Sequence, residues 1–223
     1  MKKKVLPVIV AILLILVIGG CALGKVLLDK YSYSKEEADW NEFYQVSEND
    51  RSAIILQNEM VEEQALIKDG VCYFDLATVH KYLNEVFYAD KTENLLLYAT
   101  PTEVIRTTFG ETAYTTAEGT QEAGYVISFA DGDNVYVAAD YVKLFTNYSY
   151  ECYDRHVQVN TEWGTRQVAQ LKKDTAVRLR GGVKSPILTQ AVKGDTLEIL
   201  EQMETWSKVK TADAVIGLSL IHI

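Results

Sequence analysis

Apolar and polar positions divide the chain into three regimes. Residues 5–24 carry no charge, are rich in Val, Ile and Leu, and are interrupted only by Pro7. A helix of that length covers about 30 Å, the thickness of a bilayer's hydrocarbon core. Lys2, Lys3 and Lys4 precede it, and basic residues beside a span stay on the cytoplasmic side. The pattern predicts cytoplasmic residues 1–4, a single-pass transmembrane signal anchor over 5–24, and everything beyond Lys25 outside. Residues 25–50 read as a polar spacer, in which Ser34 and Glu37 have capping-box spacing and predict a short helix over 35–43.

From residue 51 the apolar runs shorten to strand length, at 53–56, 64–67, 71–74, 95–98 and 104–107. Between the third and fourth, Leu76, Val79, Tyr82 and Leu83 recur at helical spacing. Lys68-Asp69-Gly70 supplies a hairpin turn before Val71. About 63 residues later the order returns: a strand at 124–130, a turn at 131–134, a strand at 135–137, a short helix at 140–145, and a hairpin over 148–152 and 156–159. Tyr73 aligns with Tyr136, Val79 with Val142, Tyr82 with Phe145, and Asp90 with Asp154. Repeats this similar pack against each other, because neither alone buries enough apolar surface. The expected class for residues 51–163 is α+β, two hairpin-helix-hairpin repeats. From Thr165 the pattern becomes short strands with regular turns, at 175–182, 185–191, 192–200 and 206–212, expected to form a small all-β barrel filled by Leu197, Ile199 and Val209.

Charge sharpens the division. The whole chain carries -9, which argues against nucleic acid as a partner, because phosphate binding needs clustered Lys and Arg. Residues 36–164 hold seven Lys or Arg against twenty-four Asp or Glu, a balance of -17, whereas residues 165–223 hold nine against six, a balance of +3. An anionic polymer is repelled by the first unit and tolerated by the second.

Candidate chemistry is sparse, and neither a metal nor a cofactor is expected. Asp131, Asp133 and Asn134 suggest a calcium loop, but its closing glutamate would fall at Val142, so a turn is the expectation. His80 and His156 lie far apart and read as solvated or hydrogen-bonded histidines. Cys72 and Cys152 belong to different repeats and could meet in a disulfide, although a buried thiol serves a strand equally well. Ile18-Gly19-Gly20-Cys21 is similar to a bacterial lipobox, which makes lipidation of Cys21 the alternative to a spanning anchor.

The repeated unit over residues 51–163 resembles the copper amine oxidase N-terminal-like domain of bacterial envelope proteins, which implies a scaffold for binding or spacing, with no copper site. In the last unit, Arg180, Ser185-Pro186-Ile187, the turn Lys193-Gly194-Asp195, and Trp206 with Lys208 and Val209 follow one another as in a bacterial SH3 domain. That resemblance implies binding to cell-wall peptidoglycan or another anionic wall polymer over residues 165–217, with Arg178, Arg180, Ser185 and Trp206 as candidate ligand-binding residues. Trp206 could equally close one end of the barrel, and Arg178 and Arg180 could be solvated strand residues. Residues 218–223 resemble translated sequencing-adapter text, so the authentic sequence is expected to end near Gly217 and the barrel to lack its closing strand.

Together these modules resemble the front half of bacterial wall proteins that continue into a family 18, chitinase-like glycoside hydrolase. Nothing in the chain matches that hydrolase's Asp-x-x-Asp-x-Asp-x-Glu motif. The expectation is a non-catalytic, extracytoplasmic targeting region. The alternative is a surface lipoprotein acting as a ligand- or partner-binding receptor.

Overall fold

The computed structural model describes residues 17, 20, 21, 24–28 and 30–220. Strand accounts for 45% and helix for 14%, in three sheets. The α+β class expected for residues 51–163 is therefore corrected: the structure is mostly β. The physical reason is helix length. The helical spacing around Val79 sustains only α2 (Leu76–Tyr82), and its counterpart only α3 (Ala139–Lys143), each too short to form a layer. The anchor expected over residues 5–24 falls largely outside the described residues. Among the described residues no helix is long and apolar enough to cross a membrane, so the transmembrane helix and signal anchor expected from the sequence find no support in them.

In chain order the middle unit contains β1 (Arg51–Leu56), β2 (Glu59–Lys68), β3 (Val71–Asp75), α2, β4 (Phe87–Asp90), β5 (Leu95–Ala99) and β6 (Val104–Thr108). It continues with β7 (Ala113–Thr116), β8 (Gly119–Glu122), β9 (Ser128–Asp131), β10 (Asn134–Ala138), α3, β11 (Ser149–Cys152) and β12 (His156–Asn160). One sheet has the order β11-β12-β1-β2-β3-β10-β9, with β1 and β12 its parallel pair, and a second runs β4-β5-β6-β7-β8. The two repeats thus diverge after their helices. The hairpin β4–β5 enters the second sheet, whereas its counterpart β11–β12 joins the first. Where they remain equivalent they meet about a local twofold: β3 and β10 run antiparallel, with Phe74 opposite its own counterpart Val137. Phe74, Val79, Phe87, Leu96, Ile127, Val137, Tyr141 and Val157 are buried in one core between these elements.

The Asp75 side chain caps α2, its Oδ1 accepting from the Thr78 amide at 2.6 Å, while Ala138 at the corresponding position of α3 offers no side-chain cap. Replacing Asp75 with Ala is expected to cost about 1 kcal/mol, measured by urea unfolding.

The C-terminal unit comprises β13 (Val168–Gln170), β14 (Thr175–Arg178), β15 (Ile187–Ala191), β16 (Thr196–Gln202), β17 (Ser207–Lys210) and β18 (Ile216–Ser219), in the order β13-β16-β17-β18-β14-β15. Leu171, Val177, Leu197, Ile199 and Val209 form its core. Leu218 and Ser219, the first two residues of the segment expected to be foreign, are part of this sheet: β18 sits between β17 and β14, with Leu218 opposite both Arg178 and Lys208. Ser219 is fully buried and shares a 2.8 Å hydroxyl hydrogen bond with Thr175. Gly217 is required at this crossing, because a Cβ there would stand 2.7 Å from Val177 Cγ1 and 2.8 Å from the Arg178 carbonyl.

The expected spacer is also structured. Residues 34–38 run extended beside β15, with the Ser34 amide donating to the Val183 carbonyl, Ile187 to Glu36, and Ala38 to Ile187, each at 2.8 Å. The helix forms later than the capping-box spacing predicted, as α1 (Trp40–Tyr44), because Asp39 Oδ1 accepts from the Asn41 and Glu42 amides at 2.8 and 3.3 Å. Trp40 Nε1 then donates to the Leu188 carbonyl at 3.2 Å.

Candidate functional site

The four candidate residues of the C-terminal unit separate into two roles. Arg178 ends β14 and is only 4% exposed. Its Nη1 donates to the Ser185 carbonyl at 2.6 Å and its Nη2 to the Ser34 carbonyl at 3.0 Å. The guanidinium lies 5.8 Å from the centre of the Tyr33 ring. Ser185 is occupied within its own loop: its Oγ accepts from the Arg180 amide at 2.8 Å, and its amide donates to the Gly182 carbonyl at 3.1 Å. The Arg180 side chain is exposed. Arg178 and Ser185 therefore organise the 179–186 loop.

Arg178 and Trp206 do come together, in a cleft of about 320 Å³ lined also by Tyr33, Asp174 and Leu220. Trp206 is half-buried, and its ring would lie 3.5 Å from a Cβ at Gly181, so it leans on the glycine of the loop. Arg180 and Ser185 do not line the cleft. The cleft thus has two aromatic rings, a cation fixed by two carbonyls, and the carboxylate of Asp174, whose Oδ1 holds the Lys193 amide at 2.8 Å. Two rings offer faces for stacking on a sugar or a flat peptide group. The guanidinium has five N–H groups and commits two to carbonyls, which leaves donors for an acidic ligand group.

Tyr33 and Asp174 are the residues that sequence reasoning missed. Tyr33 sits in the supposed spacer, 60% exposed, just before the extended residues 34–38, and no local pattern in the sequence pointed to it. Cys21, the alternative lipidation residue, is exposed.

A second cleft, of about 240 Å³, lies between the middle and C-terminal units and is lined by Tyr153, Gln158, Asn160, Arg166, Glu198 and Lys210. Three of its charges are paired: Glu198 meets Lys210 at 2.9 Å and Arg166 at 3.9 Å, and Lys210 also donates to Asn58 Oδ1 at 2.8 Å. Gln158 is buried and its Oε1 has no hydrogen-bond partner.

The histidines are placed apart, on α2 and β12. His80 Nε2 meets the Phe87 carbonyl at 2.6 Å. His156 departs from expectation: it is fully buried, and neither ring nitrogen has a hydrogen-bond partner. It is stacked between Tyr44, at 4.7 Å, and Tyr153, at 4.8 Å. Among the described residues no group of three or more His, Cys, Asp or Glu could hold a metal ion. No protein-family model, curated protein or solved structure matches the chain. The functional reading accordingly rests on this geometry.

Proposed function

We propose that the chain is an extracytoplasmic, non-catalytic binding region that engages cell-wall peptidoglycan or another anionic wall polymer through the cleft of its C-terminal unit. The observation that carries this reading is the convergence of Trp206 and Tyr33 on the fixed guanidinium of Arg178. The +3 balance of residues 165–223 favours an acidic polymer, and the -17 of residues 36–164 keeps that polymer off the middle unit. The middle sheets then act as the support on which the cleft is mounted. The resemblance to wall proteins that continue into a family 18 glycoside hydrolase extends this proposal to a role in targeting such an enzyme.

Binding to purified, insoluble peptidoglycan tests it. Replacing Trp206 with Ala is expected to weaken retention about tenfold, roughly 1.4 kcal/mol, with a similar direction for Tyr33→Ala, whose ring is 60% exposed. Wild-type retention by both folded variants would overturn the assignment. A receptor for a small polar ligand is the second reading, favoured by the unpartnered Gln158 Oε1 beside the cleft between the units.

A further inference from the structure

Cys72 and Cys152 are 80 positions apart and lie on strands separated by three others in the first sheet, β3 and β11. The sheet nevertheless curls far enough to bring these two strands face to face. The rings of Phe74 and Tyr150 meet across that interior at 6.4 Å. Side chains two positions apart on a strand share a face, so Cys72 stands beside Phe74 and Cys152 beside Tyr150. Stepping two residues back on β3 and two forward on β11 takes one contact into the other, as in an antiparallel register. The two thiols are close enough that each is the largest influence on the other's titration. Cys72 is buried and Cys152 is exposed.

We propose that Cys72 and Cys152 form a reversible disulfide by exchange with a low-molecular-weight disulfide, tying the edge strand β11 to β3 across the curl of the sheet. The two thiols differ in the way exchange requires. The neighbouring Cys72 holds the Cys152 thiol below its usual range, against desolvation and the charges of Asp140 and Glu151. Cys152 in turn, with burial and Asp140, pushes Cys72 well up. Cys152 is thus the exposed nucleophile, and attack is carried by the thiolate. Its sulfur attacks one sulfur of the reagent RSSR, forming a mixed disulfide and releasing RS⁻. The Cys72 sulfur then displaces the second RS⁻ from Cys152, and the Cys72 proton leaves with it. Two protein thiols are oxidised to one disulfide, and RSSR is reduced to two RSH. Because the bond closes a loop of about 80 residues, it restricts the unfolded chain strongly.

The test equilibrates the full chain, carrying Cys21→Ser to remove the third thiol, with oxidised and reduced glutathione. Remaining thiols are then alkylated and the peptides are mapped by mass spectrometry. The expected product is a Cys72–Cys152 linked peptide lighter by two hydrogens, reversed by dithiothreitol, with a Tm about 5–10 °C above the reduced form. Cys72→Ala is expected to stop at glutathione attached to Cys152. Cys152→Ser, a change at an exposed position, is expected to leave Cys72 unmodified. Stable glutathione on Cys152 beside a free Cys72 in the parent chain, or two free thiols throughout, would overturn the proposal.

Discussion

Lowering the pH from 7 to about 4 is expected to strip roughly 3 kcal/mol from the stability of this fold through His156 alone. Burial, the largest cause, lowers its pKa from 6.5 to about 4, partly opposed by backbone groups of Asp213 and Ala214 and by the Asp213 charge. Above about 6.5 the imidazole is neutral in both folded and unfolded chains, and the fold keeps its full stability. Between about 6.5 and 4 only the unfolded chain binds the proton, so stability falls by up to about 1.4 kcal/mol per pH unit. Below about 4 both states are protonated and the loss levels off. The cost is structural: the ring is stacked between Tyr44 and Tyr153, and against the loss of water an imidazolium would have only the backbone of Asp213 and Ala214, neither in good hydrogen-bond geometry with the ring nitrogens. Tyr44 belongs to α1 and Tyr153 follows β11, and the Tyr153 hydroxyl reaches the Ala212 carbonyl of the C-terminal unit at 3.4 Å. Acid is therefore expected to loosen the junction of all three parts. Urea unfolding of the wild type and of His156→Phe across this range isolates the effect, since the carboxylates titrate in both. Parallel pH profiles would sink the assignment.

His156 also marks where sequence reasoning reaches its limit. Val157 and Val159, alternating with polar residues, marked β12 correctly, although the strand lies inside the sheet and buries His156 through Val159 alike. The same alternation could not show that Tyr44, far off in a stretch read as a spacer, would cover the ring. The two repeats were likewise visible as a recurrence of Tyr73 at Tyr136 and Val79 at Val142, and β3 and β10 do pair about a local twofold. Their second hairpins went to different sheets, and this was invisible, because the direction in which a chain leaves a short helix depends on what it packs against. The fold class failed on the same point. Helical spacing predicted a helix without its length, and helices of seven and five residues cannot replace the sheets as the source of buried surface.

The candidate site shows the same division. Trp206 was legible as a landmark and Arg178 as a candidate contact, whereas their relationship was not. Arg178 was read as a ligand-binding or solvated residue, yet it is buried and bound to two carbonyls. Ser185 was read as a ligand contact, yet its hydroxyl closes a turn. In both cases the partner that decides the role is a backbone carbonyl or amide, and sequence carries no signal for which backbone group a side chain will meet. The recovered functional element is the pair of aromatic faces, one read from the sequence and one, Tyr33, delivered by the extended segment beside β15.

Replacing Arg178 with Ala is therefore expected to act first on the fold, costing about 2–4 kcal/mol. The Ser185 and Ser34 carbonyls would lose their donors, and the space beneath Tyr33 would empty. Three backbone hydrogen bonds between residues 34–38 and the 183–187 stretch would remain, so that segment should loosen without detaching completely. Lys35, exposed on this segment, then becomes a reporter: limited trypsin digestion is expected to cut after it at least about tenfold faster in Arg178→Ala than in wild type, as a 1.4 kcal/mol change in local opening dictates. Arg178→Lys should recover only part of the loss, because one ammonium cannot reproduce the planar fork that spans two carbonyls. A variant that lost wall binding while keeping wild-type stability and protease resistance would make Arg178 a ligand contact alone. The expected combination is different: Arg178→Ala loses stability and binding together, while Trp206→Ala loses binding with protection at Lys35 retained. That contrast separates the residue that builds the cleft from the residue that uses it.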